Sequence, residues 1–319
     1  MKKNIPVDGQ PKSLNHKLKW LAIIFVAVII LATIIFSAIP YFIVGDMVNQ
    51  HVTFNETWTG QAYDLDAEKI TLTTSDNLQV VAYEVTTEKP KAVVIFLSGI
   101  HNPSVTAFFG HAKMLKEAGF ASILLEMRAH GESEGDVIAL GYQEYLDVQA
   151  VVDDINKDQH YAGVPIVVYG LSMGGVTAIN AAGQIPEIEG VISMSAYSSF
   201  DDVFVDNMGV PEPLATIQRL FVRLYTGFKY GFASRHIAPK NEIQNLGSRP
   251  ALIIHSTEDT QVPYSNFTRI MDNAPEHVES WVREGDHHFI VQSGSFLTPE
   301  EDTEYANRIL QFLNKNFGE

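Results

Sequence analysis

Hydrophobic and polar positions divide the chain into two unlike parts. Trp20 to Val44 is a run of 25 residues without one charged side chain. As a helix, about 20 apolar residues cross the hydrocarbon core of a bilayer. The apolar core of a signal peptide is shorter, about 7–15 residues, and a buried core helix of this length would carry a polar stripe. The run therefore predicts one transmembrane helix over 20–44. Trp20 at one end and Tyr41 and Phe42 at the other suit the two interfaces. Lysines at 2, 3, 12, 17 and 19 predict a cytoplasmic tail over 1–19 and a following domain outside the membrane.

After the run the period changes. Residues 45–68 are mixed and polar and read as a connector. Lys69–Thr74 and Leu78–Tyr83 alternate around Asp76-Asn77, the pattern of a hairpin. From Ala92 onward, short continuous apolar runs recur: Ala92–Leu97, Ala121–Glu126, Ile166–Tyr169, Gly190–Met194, Ala251–His255 and Ser280–Arg283. Such runs mark strands buried on both faces. Between them lie helical patterns at about 104–118, 141–158, 173–184, 265–273 and 299–317. Strand and helix in alternation predict a mainly parallel central sheet with helices on both faces. The domain is expected over 69–319.

One segment breaks the alternation. Leu214, Ile217, Leu220, Phe221, Leu224, Tyr225 and Phe228 recur at spacings of one, three and four. They predict a helix with one apolar face. A structureless loop of this length would be unusual, so an inserted small helical cap is expected over about 200–246.

Composition narrows the function. Beyond residue 20 there are 17 basic and 37 acidic residues, a net charge of −20. Such a domain repels phosphates, so no nucleic-acid partner is expected. Cysteine is absent, which excludes disulfides, thiolate metal sites and thiol catalysis.

Two segments fit G-x-S-x-G: Gly170-Leu-Ser172-Met-Gly174 and Gly131-Glu-Ser133-Glu-Gly135. Context separates them. Ser172 follows a predicted strand directly and opens a helix of small residues, among them Gly175, Ala178 and Ala181. That is the strand–turn–helix of a nucleophile elbow, and the helix N-terminus favours developing negative charge. Ser133 lies in an acidic, turn-rich stretch with no helix starting at it. Ser172 is the candidate nucleophile.

A serine hydroxyl needs a base, usually His held by a carboxylate. With such an elbow the chain order is serine, acid, histidine. After the strand at 251–255 come Glu258 and Asp259, of which Asp259 is the better acid. After the last strand come His287 and His288, either of which can be the base. The oxyanion needs backbone N–H donors, expected from Met173 and from Ile100 in the loop after Leu97.

Four stretches carry a family resemblance: Arg128-Ala-His-Gly-Glu-Ser-Glu-Gly, Tyr169-Gly-Leu-Ser-Met-Gly-Gly, Arg249 to Pro263, and Gly285-Asp-His-His-Phe289. Over about residues 70–317 the chain resembles the α/β-hydrolases, in particular bacterial serine hydrolases of the BEM46-like and prolyl-oligopeptidase-like groups. The resemblance implies the α/β-hydrolase fold and no metal or organic cofactor. Its Asp-x-x-Val-Pro pattern places the acid on Asp259. Its Asp-His-x-Phe ending places the base on His287. Ser98-Gly99 stands where the family often has His-Gly, and Ala129 where it often has Gly. The expected activity is cleavage of carboxylic esters, of acyl or lipid-like type, through an acyl-enzyme on Ser172. A peptidase or amidase with the same triad, an acyltransferase and a non-catalytic binding protein are the alternatives.

Overall fold

The computed structural model describes residues 16–291 and 296–318. The expected tail over 1–19 lies mostly outside the described residues.

Helix α1 runs His16–Val48 and contains Pro40. It is longer at both ends than the expected span of 20–44. Its 33 residues make it roughly 50 Å long, and it is long and apolar enough to cross a membrane. Its last turns belong to the domain, because Val44 and Val48 fall four apart on one face and both are fully buried. The stretch expected as a connector is fastened down as well. The amide of Ile138 donates to the carbonyl of Val48, and Val52 exchanges backbone hydrogen bonds with Ala129 and Gly131. A 3₁₀ turn over Gly60–Tyr63 follows.

Eight strands form one sheet among the described residues, in the order β1-β2-β4-β3-β5-β6-β7-β8. Strands β1 (Glu68–Thr73) and β2 (Gln79–Val85) make the expected hairpin, with Asn77 at φ 66° in the turn. Asparagine tolerates that left-handed conformation better than most residues. Strand β2 pairs antiparallel with β4 (Ala121–Glu126). The remaining pairs are all parallel: β3 (Val93–Leu97), β5 (Ile166–Leu171), β6 (Ile188–Met194), β7 (Ala251–Ser256) and β8 (Glu279–Arg283). Every residue of β3, β4, β5 and β7 is buried, as continuous apolar runs require.

Helices cover both faces. On one side lie α3 (Tyr145–Ile155), α4 (Met173–Gln184) and α8 (Ser265–Met271), with the end of α1. On the other lie α2 (Phe109–Glu117) and α9 (Thr303–Phe317). The region about 200–246 holds α5 (Phe200–Met208), α6 (Glu212–Tyr230) and the short α7 (Pro239–Glu242). The spacing-predicted helix is α6, and it packs alongside α1. Phe36 stacks on Phe221 with ring centroids 6.2 Å apart, and Tyr41 meets Tyr225 edge-on at 6.4 Å.

Candidate active site

The carboxyl ends of β3, β5, β7 and β8 bring the candidate residues together. Strand β5 ends at Leu171 and α4 begins at Met173, so Ser172 is the hinge between them. It is forced to φ 56° and ψ −119°, a conformation a non-glycine residue holds only when its surroundings impose it. The surroundings are tight. A Cβ on Gly170 would lie 2.0 Å from the carbonyl oxygen of Gly174, and one on Gly174 would lie 2.3 Å from that of Leu97. Glycine at both places lets α4 start hard against the sheet. The amide of Ser172 donates to the carbonyl of Met194 at 2.8 Å, fixing the turn to β6.

Ser133, the other motif serine, is buried away from this turn. Its hydroxyl donates to the carbonyl of Glu126 at 2.5 Å and accepts from the amide of Val81. It ties β2 to β4.

Asp259 follows β7 and is buried. Its Oδ1 accepts from the amides of Gln261 and Val262 at 2.8 and 2.9 Å, and its Oδ2 lies 2.8 Å from Nδ1 of His288. Burial pushes the carboxyl up, but the His288 hydrogen bond and charge and the two amides outweigh it. The net effect holds Asp259 below its ordinary range. Glu258 is exposed, and its amide joins the loop to Gly285 at 3.0 Å.

The structure therefore pairs Asp259 with His288 and not with His287, the histidine the family pattern had indicated. The backbone explains the difference. Adjacent side chains in the irregular segment after β8 leave in different directions. The amide of His287 donates to Ser256 and its carbonyl accepts from the amide of Ile290. His287 is half-exposed, while His288 is buried against the acid loop. Asp286 fastens the two loops together by accepting from the amide and hydroxyl of Thr260 at 3.1 and 2.9 Å.

Ser172 and His288 line one small cavity of about 200 Å³ with Gly99, Ile100, His101 and Gln261. Ile100 and Met173, the expected oxyanion donors, flank Ser172 in the adjoining larger cavity of about 490 Å³. That cavity is almost wholly apolar. Its walls include Phe200, Val203 and Phe204 of α5 and Ile43 and Met47 of α1. Helix α6 lines none of it; within the segment where a cap was expected it is α5 that stands over the pocket, together with the end of α1. Among the described residues no group of His, Asp or Glu is arranged to hold a metal ion.

Sequence reasoning left four contributors unassigned. His130 lies in the quoted Arg128-Ala-His stretch and is buried. Its Nε2 lies 2.7 Å from the carbonyl oxygen of Ile100 and its Nδ1 2.8 Å from that of Arg128, which fastens the loop that carries the expected donor Ile100. Ser195 follows β6, and its hydroxyl donates to the carbonyl of His288 at 2.7 Å. No motif marks Ser195, though a φ of 51° shows that the turn is constrained. Ile43 and Met47 lay hidden because one read as the end of a membrane span and the other as part of a polar connector.

The chain is similar in sequence and fold to known proteins. Residues 88–245 match the family model of serine aminopeptidases, S33. The uncharacterized protein YqkD of Bacillus subtilis is 23% identical over 242 residues, covering 74% of this chain and 75% of that one. An uncharacterized membrane protein of Saccharomyces cerevisiae, YNL320W, is 24% identical over 156 residues, 47% of this chain and 52% of the relative. Among solved structures, esterase Pf2001 of Pyrococcus furiosus superposes with a TM-score of 0.67 at 22% identity, over 85% of this chain and 99% of that one. Together these show that the chain has the α/β-hydrolase fold.

Proposed function

We propose that the chain is a membrane-anchored serine hydrolase that cleaves carboxylic esters through an acyl-enzyme on Ser172. One observation carries the reading: the Asp259–His288 hydrogen bond, 2.8 Å long, closes on the cavity that Ser172 also lines. With Nδ1–H directed at Asp259, the Nε2 of His288 is left as the base. It takes the proton of Ser172 Oγ as that oxygen attacks the ester carbonyl. The amides of Met173 and Ile100 receive the oxyanion. The alcohol leaves with the proton from His288, and water repeats the sequence in reverse to free the acid. Asp259 stays ionised throughout and holds the imidazole in the productive tautomer.

The apolar cavity beside Ser172 supports an acyl group as the part of the substrate that is bound. The exposed apolar side chains of α1 support anchoring, as does the membrane-protein description of the yeast relative. The lysines ahead of α1 favour a cytoplasmic N-terminus and an outward-facing domain. The serine-aminopeptidase model favours an amidase as the second reading.

A fluorophosphonate probe on the full chain in detergent tests the mechanism. Wild type is expected to label and folded Ser172→Ala to stay unlabelled; equal labelling of both overturns it. Turnover of aminoacyl amides as fast as esters favours the amidase, and no labelling of wild type means a binding protein.

A further inference from the structure

Helix α1 does two things at once. Its most apolar 18-residue window is entirely unburied by the rest of the chain, as expected of a helix in lipid. Yet its last turns form a wall of the cavity beside Ser172, through Ile43 and Met47. Ile43 belongs to the uncharged run that ends at Val44, and the first charged residue after it is Asp46. The pocket wall and the end of the bilayer-spanning run are thus the same stretch of helix, so the pocket stands at the level of the membrane surface.

Helix α6 lies beside it in the same sense. Gln218 and Phe221 meet Phe36, Tyr225 meets Tyr41, and Lys229 hydrogen-bonds Asn49. Contacts advance along both helices together, so the first turns of α6 reach past Phe36 alongside the apolar span. Those turns expose Leu214 and Ile217 by 42% each, and Phe228, further on, is exposed by 78%. On a water-facing helix such a stripe would be costly. Here it continues the lipid-facing surface of α1.

We propose that α1 and α6 form one face seated in the leaflet, and that the pocket is loaded from it sideways. The substrate would then be a bilayer lipid ester whose acyl chain passes along Ile43 and Met47 to Ser172. This rests on the ester-hydrolase reading above.

The test uses the full chain in liposomes, with two substrates: a fluorogenic long-chain acyl ester embedded in the bilayer and a short, water-soluble acetyl ester. Ile217→Asp and Phe228→Asp on the α6 stripe are expected to lower the ratio of long-chain to short-chain turnover at least tenfold. Ile43→Trp, which fills the wall, is expected to lower the same ratio. Fluorophosphonate labelling of each variant shows that Ser172 remains intact, and a variant that does not label is replaced by Ile217→Asn, Phe228→Asn or Ile43→Phe. An unchanged ratio in labelled variants overturns lateral loading while leaving the hydrolase reading in place. Failure of wild type to label or to turn over the short ester removes the hydrolase reading itself.

Discussion

The hydroxyl of Ser195 donates to the backbone carbonyl of His288 at 2.7 Å, joining residues 93 apart in sequence. Ser195 sits just past β6, and its own amide is held by the carbonyl of Ile254 at 2.9 Å. The carbonyl of His288 is thus tied to the rigid part of the sheet, while its side chain is tied to Asp259. Ser195→Ala leaves that carbonyl without its partner. A buried unpaired acceptor costs about 1–3 kcal/mol, and a displaced base costs about 10- to 100-fold in rate. The expected result is a fall of that size in kcat with KM little changed, read from steady-state ester hydrolysis.

The two histidines make opposite predictions. His288→Ala should reduce kcat by about 10⁴-fold or more, and Asp259→Asn by a similar factor, because the imidazole then loses its tautomer or disappears. His287→Ala should stay within about tenfold of wild type, since that side chain is half-exposed and has no part in the Asp259 pair. Rates on a soluble ester, with probe labelling to follow the serine, separate them. Loss with His287→Ala and retention with His288→Ala would reverse the assignment.

That one-residue choice shows where the sequence stops being readable. The parallel strands were legible because burial on both faces leaves no room for polar alternation, as in Val93–Leu97. The elbow was legible because its glycines answer a local clash around Ser172. Between Arg283 and the last helix no periodicity constrains the chain, so which of two adjacent histidines meets Asp259 depends on tertiary contacts. Those are Ser195 on the His288 carbonyl and Ser256 on the His287 amide. The overrun of α1 past Val44 was hidden for a related reason. Asp46 is exposed and read as the start of a polar connector, while Val48, two residues on, is buried on the domain side of the same helix. Which helix of the 200–246 segment meets the pocket was not legible, because an apolar helical face shows that something covers it, but not what. For α6 part of that cover is α1.

Asp202 of α5 links the pocket roof to pH. It accepts from Ser198, Ser199 and Lys240. Burial raises the carboxyl, but these hydrogen bonds and the lysine charge prevail, bringing it down from 3.8 to about 2. A depressed folded-state value adds stability above the unfolded-state value, and that stability is lost as pH falls through the folded one. The contribution is about 2 kcal/mol at neutral pH, disappearing between about pH 4 and pH 2. Asp202→Asn should therefore be less stable than wild type at pH 7, with the gap narrowing by about 2 kcal/mol near pH 2. Denaturant unfolding of the full chain in detergent at the two pH values reads the difference. A gap that is constant with pH would show that Asp202 acts without its charge.

Gly174 joins the turn of Ser172, the proposed nucleophile, to the proposed oxyanion loop by contact alone. A Cβ there would lie 2.3 Å from the carbonyl oxygen of Leu97 and 2.5 Å from that of Ser98. Both neighbours are backbone, so neither can swing aside as a side chain can. Relief requires the N-terminus of α4 to move away from the end of β3, which separates the amide of Met173 from that of Ile100. Gly174→Ala should thus lose on two counts. Overpacking of this kind costs about 1–3 kcal/mol of stability, and loss of one aligned oxyanion donor lowers kcat by about 10²- to 10³-fold. The control is Gly209→Ala at the end of α5, where a Cβ would meet nothing within 4 Å but the backbone stands at φ 60°. That variant should cost only about 1 kcal/mol through its left-handed conformation and leave kcat near wild type. If Gly174→Ala lost stability to the same extent as Gly209→Ala and kept its kcat, the close contact with β3 would have no role in holding the oxyanion site.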